Sequence, residues 1–508
     1  MEVALLSLDI GSSGARASVF SRDGRLVAQS RCGYPTRYPH DGWAEQDAGQ
    51  WTDAATKVLG RATGLATERN HIVAGMALTG QCPTYLPVDR AMRPLGPALT
   101  YQDNRSSLEA AELSATYGDA TIHAFSGHVP QPFYILPKVL WHSRHDRALY
   151  ESLYKVLQPS DYVAYQLTGR LVTSCTHACG TLAFDQTTRR WNEEFIVSAG
   201  LRENLFPADI LDPWQIVGTI NSTTAEQTGL PVGLPVVIGA PDSQCCCLGA
   251  GAIVDGSLSN MSGTSTCLNS TVPHMVGDKR VGNYIDVLPR RWSAELGLNT
   301  TGAALEWAAR IILPHTLSKT RYQTIDKLAR QSKTGANGVQ FLPYLTDGER
   351  DNREVRGGFH NLSLRNDGAD LMRAVMEGVA FAERMRIEIL QEAGCGCTLM
   401  FISGGGARFD LWNEIKADVT GLPVYAITRV DAAELGAAML AGIGTGVYAD
   451  AAEAVKTCDV PVKEHQPNRR RVLQYEEGFQ TFRALEQAFS RQEHPADTQA
   501  RGLPDGSK

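Results

Sequence analysis

Asp242 stands where the apolar run PVVIGAP (235–241) meets the small-residue stretch SQCCCLGAGA, so a strand delivers one carboxylate to the start of a helix. Two uses compete for such an acid. It can cap the helix, a role that Asp before Ser-Gln serves well, or it can take a proton from a hydroxyl while a phosphoryl group is transferred. A base must stay ionised, and a helix N-terminus favours that. A second apolar strand, VALLSLD (3–9), ends in Asp9 and runs into Gly11, Ser12, Ser13 and Gly14. Glycine lets backbone N–H groups approach a phosphate and hydroxyls bond its oxygens, although GSSG taken alone is also an ordinary hairpin turn. Asp9 just before it is placed to hold Mg²⁺ through water. The turn Ser262, Gly263, Thr264 and Ser265 repeats strand, glycine, hydroxyl pair and strand, and reads as an opposing phosphate wall. A third cluster, Gly404, Gly405, Gly406 and Ala407, lies between a strand and a helix. Its missing side chains would admit a flat adenine ring, and a tight turn would need the same glycines. Base and phosphate turns together point to transfer of the terminal phosphate of ATP to a small hydroxyl compound. There is no GxxxxGK[ST] loop, and GGGARF misses the GxGxxG spacing, so the two common nucleotide folds are disfavoured.

The elements that must position these groups are legible from periodicity. Residues 3–9 begin a three-stranded opening, 51–66 is an amphipathic helix, 72–78 a strand, and helices are expected near 105–117, 134–145 and 150–167. In the second half, helices are expected at 301–312, 321–331 and 368–393, then the strand 398–405 and a helix from Asp410. At 508 residues two domains are the default expectation: 1–247 and 248–475, joined at a bendable GAGA segment, then a C-terminal helix at 476–491 and a disordered polar tail at 492–508.

A net charge of −7 with 20% charged residues and no basic stripe sets nucleic acid aside. No window approaches the apolar length of a membrane span, and no cationic leader precedes the first strand, so a cytoplasmic protein is expected. The 11 cysteines, an odd number, read as reduced thiols. Consecutive Cys245, Cys246 and Cys247 diverge on a helix and cannot share one metal. Cys175, His177 and Cys179 lack a fourth ligand.

Beyond these local readings, ordered segments over about residues 3–480 resemble the FGGY carbohydrate kinases, and within them the xylulokinase branch. They are DIGSSGARASVF, WAEQDAGQW (43–51), TGQCPTYLPVD (79–89), YQDNRS (101–106), PSDYVAYQLTG (159–169), MSGTST, FLPYLTDGER (341–350), RGGFHNLSLRNDGADLMRAVMEGVAF (356–381) and SGGGARFDLWNEIKADVTG (403–421). The resemblance implies an α/β fold of two actin-like (ribonuclease-H-like) domains flanking a central cleft, with sugar mostly on the N-terminal and ATP mostly on the C-terminal domain. Carried over by position, Asp242 is the base, and Asp9 and Asp242 lie near Mg²⁺. Gly11, Ser12 and Ser13 face the transferred phosphate, Gly263 and Thr264 hold nucleotide phosphates, and Gly405, Gly406 and Asn413 lie about the adenosine.

The departures fall in the implied sugar pocket, where Gln81, Cys82, Pro83, Asp103, Asp242 and Ser243 are the expected contacts. Gln81-Cys82-Pro83-Thr84 replaces the branch's usual Gln-Met-His-Gly, Asp242-Ser243 its Asp-Asn, and Tyr101-Gln102-Asp103 its Trp-Asn-Asp; Arg16 stands where Lys is frequent. The implied partners are ATP and a small sugar or polyol, D-xylulose or a related ketose first; nucleic acid and membrane are not expected, and the assembly is left open, with a homodimer the one considered. An alternative of another class is a sugar-responsive binding or regulatory protein on the same fold, without turnover.

Overall fold

The computed structural model describes residues 1–314, 321–346, 355–428 and 432–490; the expected tail and the end of FLPYLTDGER lie outside them. Two compact units emerge. The first comprises Met1–Asp255, Asn269–Glu295 and Asp431–Val460, the second Gly256–Leu268, Leu296–Val430 and Pro461–Lys508.

The first unit is built on the strands β1 (Glu2–Ile10), β2 (Gly14–Ser21), β3 (Leu26–Gly33), β4 (His71–Gly80), β5 (Ile216–Thr219) and β6 (Pro235–Pro241), in the sheet order β5-β6-β4-β1-β2-β3. The pairs β1/β2, β2/β3 and β5/β6 are antiparallel, whereas β1/β4 and β4/β6 are parallel. A three-strand meander followed by parallel strands is the order of a ribonuclease-H-like core. The side-chain period of two sends Ala4, Leu6, Leu8 and Ile10 to one core and Leu5 to another. The first core is closed by Trp51, Val58 and Leu59 of the helix Ala48–Glu68. The second takes Cys245 and Leu248 of the helix Asp242–Ala250 and Leu435, Met439 and Leu440 of the helix Ala432–Gly444. Covering both faces explains why the parallel strands are continuously apolar.

The GAGA segment, read from sequence as bendable, begins inside Asp242–Ala250. Its Gly249 serves close packing: a Cβ there would stand 1.9 Å from the Ala432 carbonyl oxygen. The helix expected over 150–167 is broken. Residues Lys155–Leu157 form a strand pairing with Leu86–Val88, and a new helix starts at Pro159, where Gln158 and Asp161 form a capping box.

In the second unit β7 (Ser257–Ser262), β8 (Leu399–Ser403) and β9 (Val424–Ile427) run parallel, and β10 (Val462–His465) closes the edge antiparallel to β9. Its core gathers Met372, Val375 and Val379 of the helix Gly368–Glu392, Trp412 and Ile415 of Asp410–Thr420, and Tyr475, Phe479 and Phe482 of Arg469–Phe489. The long helix starts at the N-cap Asp367, whose carboxylate accepts from the N–H groups of Ala369 and Asp370.

Candidate active site

In the first unit, register brings three strand ends level. Ile10 pairs with Gly80, and Gly80 with Pro241, so Gly11, Gln81 and Asp242 leave the sheet side by side at its carboxyl edge. That edge is where parallel α/β sheets bind ligands. Asp242 is the first residue of its helix rather than the cap before it, and its Oδ1 accepts from the Ser243 N–H at 2.8 Å. Burial first, then the charge of Asp9, push its carboxyl up to about 7, so here desolvation outweighs the helix N-terminus. A base with a pKa near the working pH is well matched to proton transfer. Burial pushes Asp9 up to about 6 against the opposing pull of Arg16 and Arg31. Arg16, directly across from Asp9 in the β1/β2 register, is ion-paired to Glu434.

The GSSG turn is braced from behind. Tyr34 OH donates to the Gly11 carbonyl at 2.6 Å, and Gln46 Nε2 and Thr36 Oγ1 donate to the Ser12 carbonyl at 2.7 and 3.2 Å. In a planar trans peptide the N–H points opposite to the preceding C=O. Holding these two carbonyls therefore turns the Ser12 and Ser13 N–H groups the other way, and among the described residues neither donates to a protein acceptor. Two such donors in succession form an anion-binding concavity.

The second unit repeats the device. The Gly302 N–H donates to the Gly263 carbonyl at 3.1 Å, and Thr301 and Ala303 N–H donate to that of Thr264 at 3.1 and 3.0 Å. The Thr264 and Ser265 N–H groups are thereby turned outward. Gly263, Thr264, Gly405, Gly406, Tyr322 and Trp412 are among the residues lining a cavity of about 550 Å³, within the range of small-molecule sites. Gly404 adopts φ +76°, and a Cβ at Gly406 would lie 2.3 Å from Ser262 Oγ, so these glycines permit the close approach of the loop to the end of β7.

A divalent cation of the Mg²⁺ kind fits the first unit's acids. Asp9 Oδ1 is buried without a hydrogen-bond partner among the described residues, and the charge of Asp9 disfavours ionisation of Asp242. One or two carboxylates completed by water and phosphate oxygens are a usual Mg²⁺ set.

The chain matches known proteins over most of its length. Residues 4–249 match the N-terminal domain, and residues 258–445 the C-terminal domain, of the FGGY family of carbohydrate kinases. The chain belongs to that family. It is 28% identical over 493 residues to a xylulose kinase of Escherichia coli (strain K12), covering 95% of this chain and 98% of the relative. To a xylulose kinase of Klebsiella pneumoniae it is 29% identical over 483 residues, covering 92% and 96%. The crystal structure of xylulose kinase from Rhodospirillum rubrum superposes with a TM-score of 0.89 at 28% identity, covering 96% of this chain and 100% of that one. The FGGY chain is thus a carbohydrate kinase, xylulokinase-like, with two actin-like, ribonuclease-H-like domains, and its family uses ATP as phosphate donor.

Several site residues expected from the FGGY resemblance also have protein partners. Asp103 is fully buried and its two oxygens are taken, by the Ala44 N–H at 2.7 Å and by Arg105 Nε and Nη2 at 2.9 and 2.8 Å. It orders the 43–45 loop, where Arg105 lies 3.5 Å over the Trp43 ring and pairs with Glu45 at 2.7 Å. Ser243 turns its hydroxyl to Gln244 Oε1 at 2.9 Å and to Glu295 Oε2 at 3.4 Å. Asn413 is fully buried behind the glycine loop, donating to the Ala407 carbonyl at 3.1 Å. Cys82 is partly exposed and Pro83 buried. Burial, then the charge of Asp242, pushes the Cys82 thiol far up, so it is a neutral neighbour of the acid. Cys175, His177 and Cys179 are buried on one short helix, with His177 Nδ1 2.8 Å from Ser174 Oγ. Sequence reasoning missed Glu295, which contributes negative charge at Asp242, and Gln46, which braces the GSSG turn. The EQ of WAEQDAGQW was the available signal for Gln46; Glu295 had none.

Among the described residues no helix is long and apolar enough to cross a membrane.

Proposed function

We propose that this carbohydrate kinase phosphorylates a terminal hydroxyl of a small ketose or polyol, D-xylulose first, with Asp242 as general base. The observation that carries the reading is the level ending of β1, β4 and β6, which sets Asp242, Gln81 and the Ser12–Ser13 turn side by side. The xylulose kinases of Escherichia coli and Klebsiella pneumoniae support the sugar.

Each group has a distinct task. Asp242 accepts the proton of the attacking hydroxyl, and its raised pKa keeps that proton transfer balanced near neutrality. The Ser12 and Ser13 N–H groups stabilise negative charge on the phosphoryl group under transfer. Gly263, Thr264, Gly405 and Gly406 receive the nucleotide, with Tyr322 and Trp412 offering apolar surface to its base. Asp9 and Asp242 would hold Mg²⁺, which when bound neutralises phosphate charge. The reading includes a cytoplasmic setting, supported by eleven cysteines that are all free thiols.

The sugar-side departures at Cys82, Pro83, Thr84 and Ser243 make the identity of the acceptor the quantity to measure, because a site that hydrogen-bonds hydroxyls discriminates strongly among them. ADP release by purified protein is to be followed with pentuloses, tetritols, pentitols and heptuloses. Release dependent on D-xylulose or a close relative is expected. A folded protein that binds ATP and sugar yet releases no ADP with any of them would contradict the proposal.

A further inference from the structure

Gln46 is a buried amide whose four hydrogen-bonding positions are all used. Its Oε1 accepts from Trp51 Nε1 at 2.9 Å and from Gln81 Nε2 at 2.7 Å; its Nε2 donates to the Ser12 carbonyl at 2.7 Å and to Thr36 Oγ1 at 2.9 Å. The direction of this amide is fixed by chemistry. An indole N–H only donates and a carbonyl only accepts, so the oxygen must face Trp51 and the nitrogen must face Ser12. The polarity then propagates. Gln81 has to turn its own nitrogen toward the Gln46 oxygen, which leaves Gln81 Oε1 as the outward end of the chain of bonds.

That oxygen is the second, independent observation. Gln81 is 3% exposed, and its Oε1 is buried with no hydrogen-bond partner among the described residues. A buried amide oxygen without a donor is unfavourable, and a ligand hydroxyl supplies one. Gln81 follows β4 directly and leaves the sheet beside Gly11 and Asp242.

We infer that Gln46, oriented by Trp51, is a positioning residue that presents the Gln81 amide oxygen as an acceptor for one hydroxyl of the sugar, while the same amide holds the Ser12 carbonyl and so aims the Ser13 N–H at phosphate. Resting on the proposed sugar kinase activity, the inference adds that one buried side chain sets both acceptor recognition and the phosphate turn. Each half leaves its own kinetic mark. The oxygen of Gln46 governs the sugar KM, and its nitrogen governs kcat.

Steady-state kinetics of the full chain test this, with ATP and D-xylulose, or whichever ketose or polyol of the panel is turned over, and its monodeoxy analogues. Trp51→Phe removes the indole N–H together with part of a buried ring, so that the Ser12 carbonyl is left as the main group holding the direction of the Gln46 amide. It is expected to raise the sugar KM about tenfold or more with the ATP KM within about twofold. The one deoxy analogue that wild type rejects most through Gln81 should be rejected less, both by Trp51→Phe and by Gln81→Leu. Gln46→Glu keeps the oxygen that receives Trp51 and Gln81 but loses the donor to Ser12, and is expected to lower kcat with a smaller change in sugar KM.

Unchanged sugar KM and unchanged deoxy discrimination in a folded Trp51→Phe protein overturn the inference while leaving the kinase reading intact. Equal losses for ATP and sugar in all variants do the same. If Trp51→Phe fails to fold, Gln81→Leu and Gln46→Glu decide, since only the inference separates their effects between KM and kcat. Absence of turnover by wild type with every sugar removes the kinase reading, and the inference with it.

Discussion

Lys416 Nζ lies 2.8 Å from Glu383 Oε1, and neither side chain has any exposure to solvent. The same ammonium is 3.4 Å from Ser262 Oγ, at the end of β7 where the Gly263–Thr264 turn begins, and 4.6 Å over the Trp412 ring. A buried pair of this kind is vulnerable to removal of one partner, which strands the other charge. Lys416→Met is expected to destabilise the chain by about 3–5 kcal/mol, and the double variant Lys416→Met, Glu383→Leu to recover most of that. Urea unfolding of the three proteins checks it; a double variant as unstable as the single one would contradict the argument.

The cavity proposed for the nucleotide depends on how closely the glycine loop approaches Ser262. A Cβ at Gly406 would lie 2.6 Å from Ser262 Cβ, with no flexible side chain to give way. Gly406→Ala should therefore displace the loop and weaken ATP binding at least about tenfold, a change of about 1.4 kcal/mol. Calorimetric titration with ATP measures it, and sugar binding in the same protein should be unaffected.

Two helices of the first unit meet through glycine. A Cβ at Gly436 would stand 1.8 Å from the Cys245 carbonyl oxygen, the counterpart of the Gly249 contact with Ala432. These are backbone contacts, so relief requires the helices to separate. Gly436→Ala is expected to cost about 3 kcal/mol or more, at the upper end of overpacking changes. Denaturant midpoints test this, and a neutral substitution would show that the contact yields.

Stability should respond to pH through two buried imidazoles. Burial holds His177 down to about 3; burial, then the Arg105 charge, holds His142 down to about 4. Above about pH 6.5 both are neutral folded or unfolded. Below it the unfolded chain gains protons that the native state refuses, so their stabilising contribution is lost as pH falls from about 6.5 toward 4 and then 3. Each contributes a slope of up to about 1.4 kcal/mol per pH unit. His177→Asn should be less steep by one proton between pH 6 and 4.5; an unchanged slope would show that His177 is protonated in the fold.

Much of this organisation was readable in the chain because it is local. The apolar runs ending at Asp9 and Asp242, the glycine turns and the capped helix Gly368–Glu392 each declare themselves within a few residues. What the sequence hid depends on distant partners. The partners of Asp103, the Ala44 N–H 59 positions away and Arg105, are set by the fold of the 43–45 loop. Ser243 meets Glu295, 52 positions away, a contact no local pattern announces. The break at Lys155–Leu157 follows from pairing with Leu86–Val88, a tertiary contact that overrides the helical pattern. Gln46 was visible only as part of a motif, since its task is set by Ser12, Trp51 and Gln81 together.

In the proposed reaction the Asp242 carboxylate removes the hydroxyl proton. Asp242→Asn keeps the shape and an acceptor for the Ser243 N–H while losing basicity. Sugar-dependent ADP release should fall by about 10²–10⁴-fold with ATP affinity held within a few-fold. Release within about threefold of wild type at saturating sugar and ATP would show that another group takes the proton.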